Sequence, residues 1–136
     1  MLLRRRLATA RLGRLGERRA AWFYRLRGYR VVARNVRLRS GEIDLVVRRG
    51  RILVIAEVKT RQSLGAGEGH EAVDGKKRRR LIALADEYLA KYGGGGLDLR
   101  YDVLSLFWNG WRFVVTHYAD AFRPVADPWR PWKWTA

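Results

Sequence analysis

Asp44, Glu57 and Lys59 are the residues whose types and spacing can do chemistry in this chain. Strand side chains alternate with period two. Glu42 and Asp44 therefore share one face of the run 42–48, and Glu57 and Lys59 share one face of the run 51–60. A tight turn at Arg49-Gly50 makes the two runs antiparallel neighbours, which sets Asp44 beside Glu57 with Lys59 just beyond. Close carboxylates repel one another, and burial beside Ile and Val penalises both. A divalent cation relieves both problems, and Mg²⁺ takes one or two carboxylates together with water and substrate phosphate. A lysine two residues after the second acid can then orient or deprotonate an attacking water and meet the phosphate charge. The acid-x-base pattern also occurs at Glu17/Arg19, Asp74/Lys76 and Asp98/Arg100. Glu57/Lys59 differs in ending a strongly apolar strand, where charge is costly. A salt-bridged or solvated strand end fits the same residues.

Composition narrows the chemistry further. The 136 residues include no Cys, which excludes disulfides, thiolate zinc sites and a cysteine nucleophile. His70 and His117 are the two histidines, too few for a His-rich metal site. Lys and Arg number 29 against 13 Asp and Glu, a formal net charge of +16, and 24 of the cations are Arg. Arginine's planar fork matches phosphate and stacks on bases. An excess of this size repels itself unless a polyanion neutralises it. A high-GC genome would explain Arg in place of Lys but not the shortage of acids. The expected partner is nucleic acid, DNA ahead of RNA, with an anionic membrane surface as the competing reading. No uncharged apolar run approaches the ~18–20 residues of a membrane span, so no integral membrane association is expected. The first sixteen residues hold five Arg and no acid, which suits either a transit peptide or a basic arm. No secretory apolar segment is present, so a cytoplasmic location is expected.

Periodicity predicts a helix over about 13–27, with two competing stripes: Leu15, Trp22 and Leu26, or Ala20, Ala21 and Tyr24 alongside Glu17. Gly28 closes this helix. Strands follow at 29–38, 42–48 and 51–60, the last apolar on both faces as a central strand should be. A Gly-rich loop spans about 62–70, and a helix starting at Asp74 buries Leu81, Leu84, Ala85, Tyr88 and Leu89. A hairpin of 97–108 and 111–116 turns at Asn109-Gly110. The order α-β-β-β-α-β-β defines a mixed α/β domain. It divides into a basic arm (1–12), a domain (13–122) and a Pro/Trp-rich tail (123–136).

Gly16-Glu17, Gly28-Tyr29, Asn35, Gly41-Glu42-Ile43-Asp44-Leu45-Val46, Glu57-Val58-Lys59-Thr60-Arg61, Glu71-Ala72-Val73, Lys77-Arg78 and Arg100-Tyr101-Asp102-Val103 occur in this order. Together they resemble the bacterial YraN family of uncharacterised proteins, from residue 13 to about 122. The resemblance implies a restriction-endonuclease-like fold, a mixed central sheet flanked by helices, and a site similar to that of PD-(D/E)XK nucleases, particularly archaeal-type Holliday-junction resolvases. Carried over by position, it implies Glu17 as the helix acid, Asp44 and Glu57 as metal ligands, the Val58 carbonyl as a further ligand and Lys59 as the catalytic lysine. Mg²⁺ or Mn²⁺ is the implied cofactor, and a homodimer is implied because such enzymes cut two strands. Ile43 stands where the nuclease pattern has proline.

Other residues carry readings of their own. Lys76, Lys77, Arg78, Arg79 and Arg80 open a helix against its dipole, a penalty that a docked phosphate would reverse. Arg61 and Gln62 follow the Glu-x-Lys strand, where they can meet phosphate or water; a lone loop Gln is also simply solvated. Glu42 is either an added ligand or a partner of Arg37 or Arg39. Asp102, among apolar strand residues, pairs with an Arg in a structural role. The strand pairing and the resemblance together imply a metal-dependent endonuclease, with branched or single-stranded DNA as the substrate that the resemblance suggests. Two alternatives stand beside it: a non-catalytic nucleic-acid-binding protein on the same scaffold, with Glu57/Lys59 as an ion pair, and an adaptor acting through Trp129, Trp132 and Trp134.

Overall fold

A computed structural model describes residues 6–62, 75–93 and 96–122. The elements run α1 (Thr9–Arg25), β1 (Arg30–Leu38), β2 (Gly41–Arg49), β3 (Ile52–Arg61), α2 (Gly75–Tyr92), β4 (Asp98–Trp108) and β5 (Phe113–Phe122). This is the α-β-β-β-α-β-β order that the periodicity predicts. The strands form one sheet in sequence order, antiparallel except for β3–β4. That parallel pair needs a crossover, and α2 supplies it.

Successive residues of β3 are buried on alternate faces of the sheet, as the double-sided apolar run requires. Leu53 and Ile55 pack with Val36, Ile43 and Val46 beneath Leu81, Leu84, Ala85, Tyr88 and Leu89 of α2. Val54 and Ala56 pack on the other face with Leu45, Val47, Leu104 and Leu106 beneath Ala20, Phe23 and Tyr24 of α1. Among the described residues no helix is long and apolar enough to cross a membrane.

The small-residue stripe of α1 wins the competition for burial. Ala20, Ala21 and Tyr24 are fully buried, whereas Trp22 and Leu26 are 53% and 72% exposed. Close approach is the reason, since a Cβ on Gly16 would collide with the side chain of Thr60 on β3. The helix also begins at Thr9 rather than 13, with Leu12 buried in that earlier stretch. Gln62 fixes the segment before it, donating from Nε2 to Leu7 O at 2.7 Å and accepting from Leu7 N at 2.8 Å.

The β4–β5 turn falls where expected but is longer. Trp108 pairs with Phe113, leaving Asn109–Arg112 as the loop, and Asn109 Oδ1 accepts the N–H groups of Trp111 and Arg112 at 2.9 and 3.0 Å. An Asn side chain that satisfies its own loop favours this wider turn over a two-residue one. β5 then runs on to Phe122, past the expected end at 116, with an irregularity opposite Asp102.

Asp102 accounts for that irregularity. Only 2% exposed, it accepts from Tyr24 Oη (2.8 Å), Arg100 Nε and Nη2 (2.9 and 2.8 Å), His117 Nε2 (2.8 Å) and the backbone N–H of Asp120 (2.9 Å). Reaching Asp102 puts Asp120 at a φ of 56°. Burial favours the neutral acid, but hydrogen bonds from His117, Arg100, Asp120 and Tyr24 outweigh it and hold the carboxyl at about 2. Its stabilising effect is complete above the ordinary value of 3.8 and is lost as the pH falls towards about 2. Asp102→Ala, which strands a half-buried guanidinium and a buried phenol, should cost about 3–5 kcal/mol in urea unfolding at neutral pH.

Candidate functional site

β2 and β3 are paired from Arg49–Ile52 to Leu45–Ala56, after a turn at Gly50-Arg51 in which Gly50 has a φ of 60°. Beyond Ala56, β3 stays paired with β4 as far as Arg61–Phe107. The next residues on the β2 side are Asp44 and Glu57. Here a side chain takes over from the ladder, and Asp44 Oδ2 accepts the Val58 N–H at 2.8 Å. In an extended strand the N–H and C=O of one residue face the same edge. The Val58 carbonyl therefore faces the same fork.

Carboxylates gather at this fork. Burial is the largest cause of Asp44's raised pKa, and the nearby charges of Glu57, Glu42 and Glu17 push it further. The Val58 N–H acts in the opposite direction, and the carboxyl settles at about 6. Four acids from three elements thus converge in a chain with 13 acids in all.

Asn35 ties two of them together. With its amide nitrogen turned to the carboxylates, it donates to Glu17 Oε1 and Glu42 Oε1, each at 3.2 Å. Its φ of 49° is left-handed, a region Asn tolerates better than most residues. Arg34 pairs with Leu45 and Val36 with Ile43, so Asn35 lies across from Asp44. This residue is the one that spacing arguments missed, although an Asn inside a strand run is itself an unusual choice. Glu42 resolves towards Asn35 and the acid cluster, while Arg37, its register partner on β1, is exposed.

A cavity of about 280 Å³ opens beside the fork, lined by Glu42, Asp44, Glu57 and Arg80 with Leu81 and Leu84. α2 thereby brings one cation of its basic run to the acids. Lys76 and Arg79 are exposed on the same helix. The side chains of Lys77 and Arg78, Asp74 at the expected helix start, the loop bearing His70, Arg4 and Arg5, and the tail from 123 lie outside the described residues. Lys59 is half-buried on β3 opposite Ser105, next to the Thr60 on which Gly16 packs. Arg61, half-buried, ends the strand. Gln62 does a different job from the one expected of it, because both of its amide atoms are engaged by Leu7.

Donor chemistry at the fork suits a hard cation. Among the described residues no three His, Cys, Asp or Glu side chains form a ready-made metal cluster. The donors that fit are two carboxylates and a carbonyl with water completing the shell, the incomplete protein set that Mg²⁺ accepts.

The fold and this fork define a small mixed α/β protein whose central strands part around an acidic cleft. The chain belongs to uncharacterised protein family UPF0102, the YraN family, whose model matches residues 16–106 and so takes in all four acids. A UPF0102 protein of Symbiobacterium thermophilum is 49% identical over 98 residues, covering 72% of this chain and 83% of its own length. One from Rhizorhabdus wittichii is 47% identical over 113 residues, covering 83% and 92%. One from Parvibaculum lavamentivorans is 45% identical over 122 residues, covering 87% and 86%.

Asp44's shift has a definite sign. A folded-state pKa of about 6 against an ordinary 3.8 means that the folded chain binds the proton more tightly. Stability therefore falls as the pH rises between these values, and the penalty is complete above about 6. Asp44→Asn, whose amide oxygen can still accept from Val58, should raise stability by roughly 1–3 kcal/mol at neutral pH without added metal. Below the ordinary value of 3.8 it should change little, as thermal melts across the pH range would show.

Proposed function

We propose that this chain is a nucleic-acid-binding, divalent-metal-dependent endonuclease of the PD-(D/E)XK, restriction-endonuclease-like type, with DNA preferred to RNA. The observation that carries this reading is the convergence of Glu17, Glu42, Asp44 and Glu57 on one fork of a polypeptide with a net charge of +16. Burial first, and the repulsion of the neighbouring acids after it, raise the proton affinity of Asp44, an arrangement that destabilises the fold until a cation offsets it. An acid on the first helix, an acid on the second strand and Glu-x-Lys on the third follow the order of those nucleases.

In this reading Asp44, Glu57 and the Val58 carbonyl hold Mg²⁺ or Mn²⁺, and Glu17 supports the ion directly or through water. A bound ion of this kind supplies Lewis-acid stabilisation of phosphoryl charge and makes water a nucleophile at neutral pH, so no histidine base is needed. Lys59, on the face of Glu57 two residues along β3, orients the attacking water and offsets charge developing on the phosphate. Arg80 draws the phosphate into the cleft, and its neighbours Lys76 and Arg79 extend the basic approach. Asn35 sets the spacing between Glu17 and Glu42, which fixes α1 against the fork.

Nicking of end-labelled branched, single-stranded and duplex DNA tests this reading. Cleavage should require Mg²⁺ or Mn²⁺, stop with EDTA, and fall about 100-fold or more in Glu57→Ala and in Lys59→Ala. Equal residual activity in all three proteins would mean contamination. Tight DNA binding without cleavage by the wild type would leave a binding protein on the same scaffold.

A further inference from the structure

A second open groove lies between α1 and the β4–β5 hairpin, on the face of the sheet that α1 covers. Arg19, Phe23, Arg27, Trp108, Arg112 and Phe113, with two valines of β5, line a volume of about 630 Å³. Three of these side chains are arginine and none is acidic. The acid fork contributes no residue to this lining, so the two sites are separate.

The groove is built as well as charged. The Arg27 guanidinium lies 3.6 Å from the centre of the Phe23 ring, and its Nη1 donates to Phe23 O at 3.0 Å. A guanidinium held flat in this way offers its other face to a further planar group. Trp108 and Phe113 meet edge-on with ring centres 5.1 Å apart, and both are half-buried. The bonds from Trp111 and Arg112 to Asn109 Oδ1 fix the point at which Arg112 leaves the loop. Trp111 and Val114 continue the surface, 58% and 46% exposed.

We propose that this groove binds single-stranded nucleic acid. Arg19 and Arg112 take backbone phosphates, and Trp108, Phe113 and the Arg27 plane stack an unpaired base. A cationic groove interleaved with aromatic side chains is the chemistry of sequence-tolerant single-strand binding. A duplex keeps its bases stacked inside and could use the arginines alone. The volume lies within the ~300–1,000 Å³ typical of small-ligand sites, which suits a splayed-out nucleotide better than a helical backbone. This binding needs neither a cation nor cleavage, so it stands apart from the nuclease reading.

The test is fluorescence anisotropy of the full chain in EDTA, with an end-labelled single strand and a duplex of equal length. The single strand should bind more tightly. Arg19→Ala/Arg112→Ala should weaken single-strand binding about tenfold or more, and the log-affinity against log-salt slope should become shallower by about 1.4. Arg37→Ala/Arg39→Ala, an equal loss of charge beside α2, should cost severalfold less. Trp108→Leu should lower single-strand affinity about fivefold and leave duplex affinity unchanged, with thermal melts checking that each variant is folded. A ribo-strand of the same sequence distinguishes RNA from DNA as the occupant. The proposal is overturned if both arginine pairs cost the same, if the duplex binds as tightly as the single strand, or if the chain ignores oligonucleotides and sediments with phosphatidylglycerol vesicles.

Discussion

The bond from the Val58 N–H to the Asp44 carboxylate organises this molecule. It falls where the ladder between β2 and β3 ends, while β3 remains paired to β4. A backbone donor facing inward must find an acceptor. Supplying that acceptor from a side chain draws a charged oxygen into the fork instead of a neutral carbonyl. From there the other acids follow: Glu57 is next on β3, Glu42 lies two residues along β2, and Glu17 reaches in from α1 through Asn35. α1 comes this close because Gly16 leaves room for Thr60.

The same sheet treats a second buried acid in the opposite way. Asp102 is enclosed by donors from Tyr24, Arg100, His117 and Asp120, and its carboxyl is held down at about 2. Asp44 is pushed up chiefly by burial and further by three like charges, against a single backbone donor, and its carboxyl rises to about 6. Ala56 of β3 lies opposite Asp102 on β4 and opposite Leu45 on β2, so these two environments flank β3 from either side. Asp102 is a fixed anion that stitches α1, β4 and β5 together. Asp44 holds its proton more tightly than an ordinary carboxyl, the kind of perturbation that collects at functional sites.

Much of this was legible in the sequence, for identifiable reasons. The apolar runs of β2 and β3 and the short turn between them carry their own register, which brings Asp44 and Glu57 to the end of the same ladder. The period-two alternation itself breaks at Asp44, since Ile43 and Leu45 pack on opposite faces of the sheet. The buried face of α2 is equally plain in its heptad-like spacing. The stripe of α1 that faces the sheet was not settled by hydrophobicity, because Trp22 and Leu26 outweigh Ala20 and Ala21 in apolar area. Steric closeness at Gly16 and Thr60 decides it, and that is a tertiary fact. Asn35 escaped because its role depends on a left-handed backbone position, and Gln62 because its partner Leu7 is far away in sequence. The aromatic groove mixes residues from α1 and the hairpin, a juxtaposition that no local pattern announces.

The most direct test of the central claim is Mn²⁺ binding to the metal-free chain, followed by electron paramagnetic resonance as the pH is varied. The account predicts one bound ion at neutral pH, released as the pH falls below about 6 and lost in Asp44→Asn and Glu57→Gln. A chain that binds no Mn²⁺ at neutral pH, or that binds it equally well in both variants, would contradict the account.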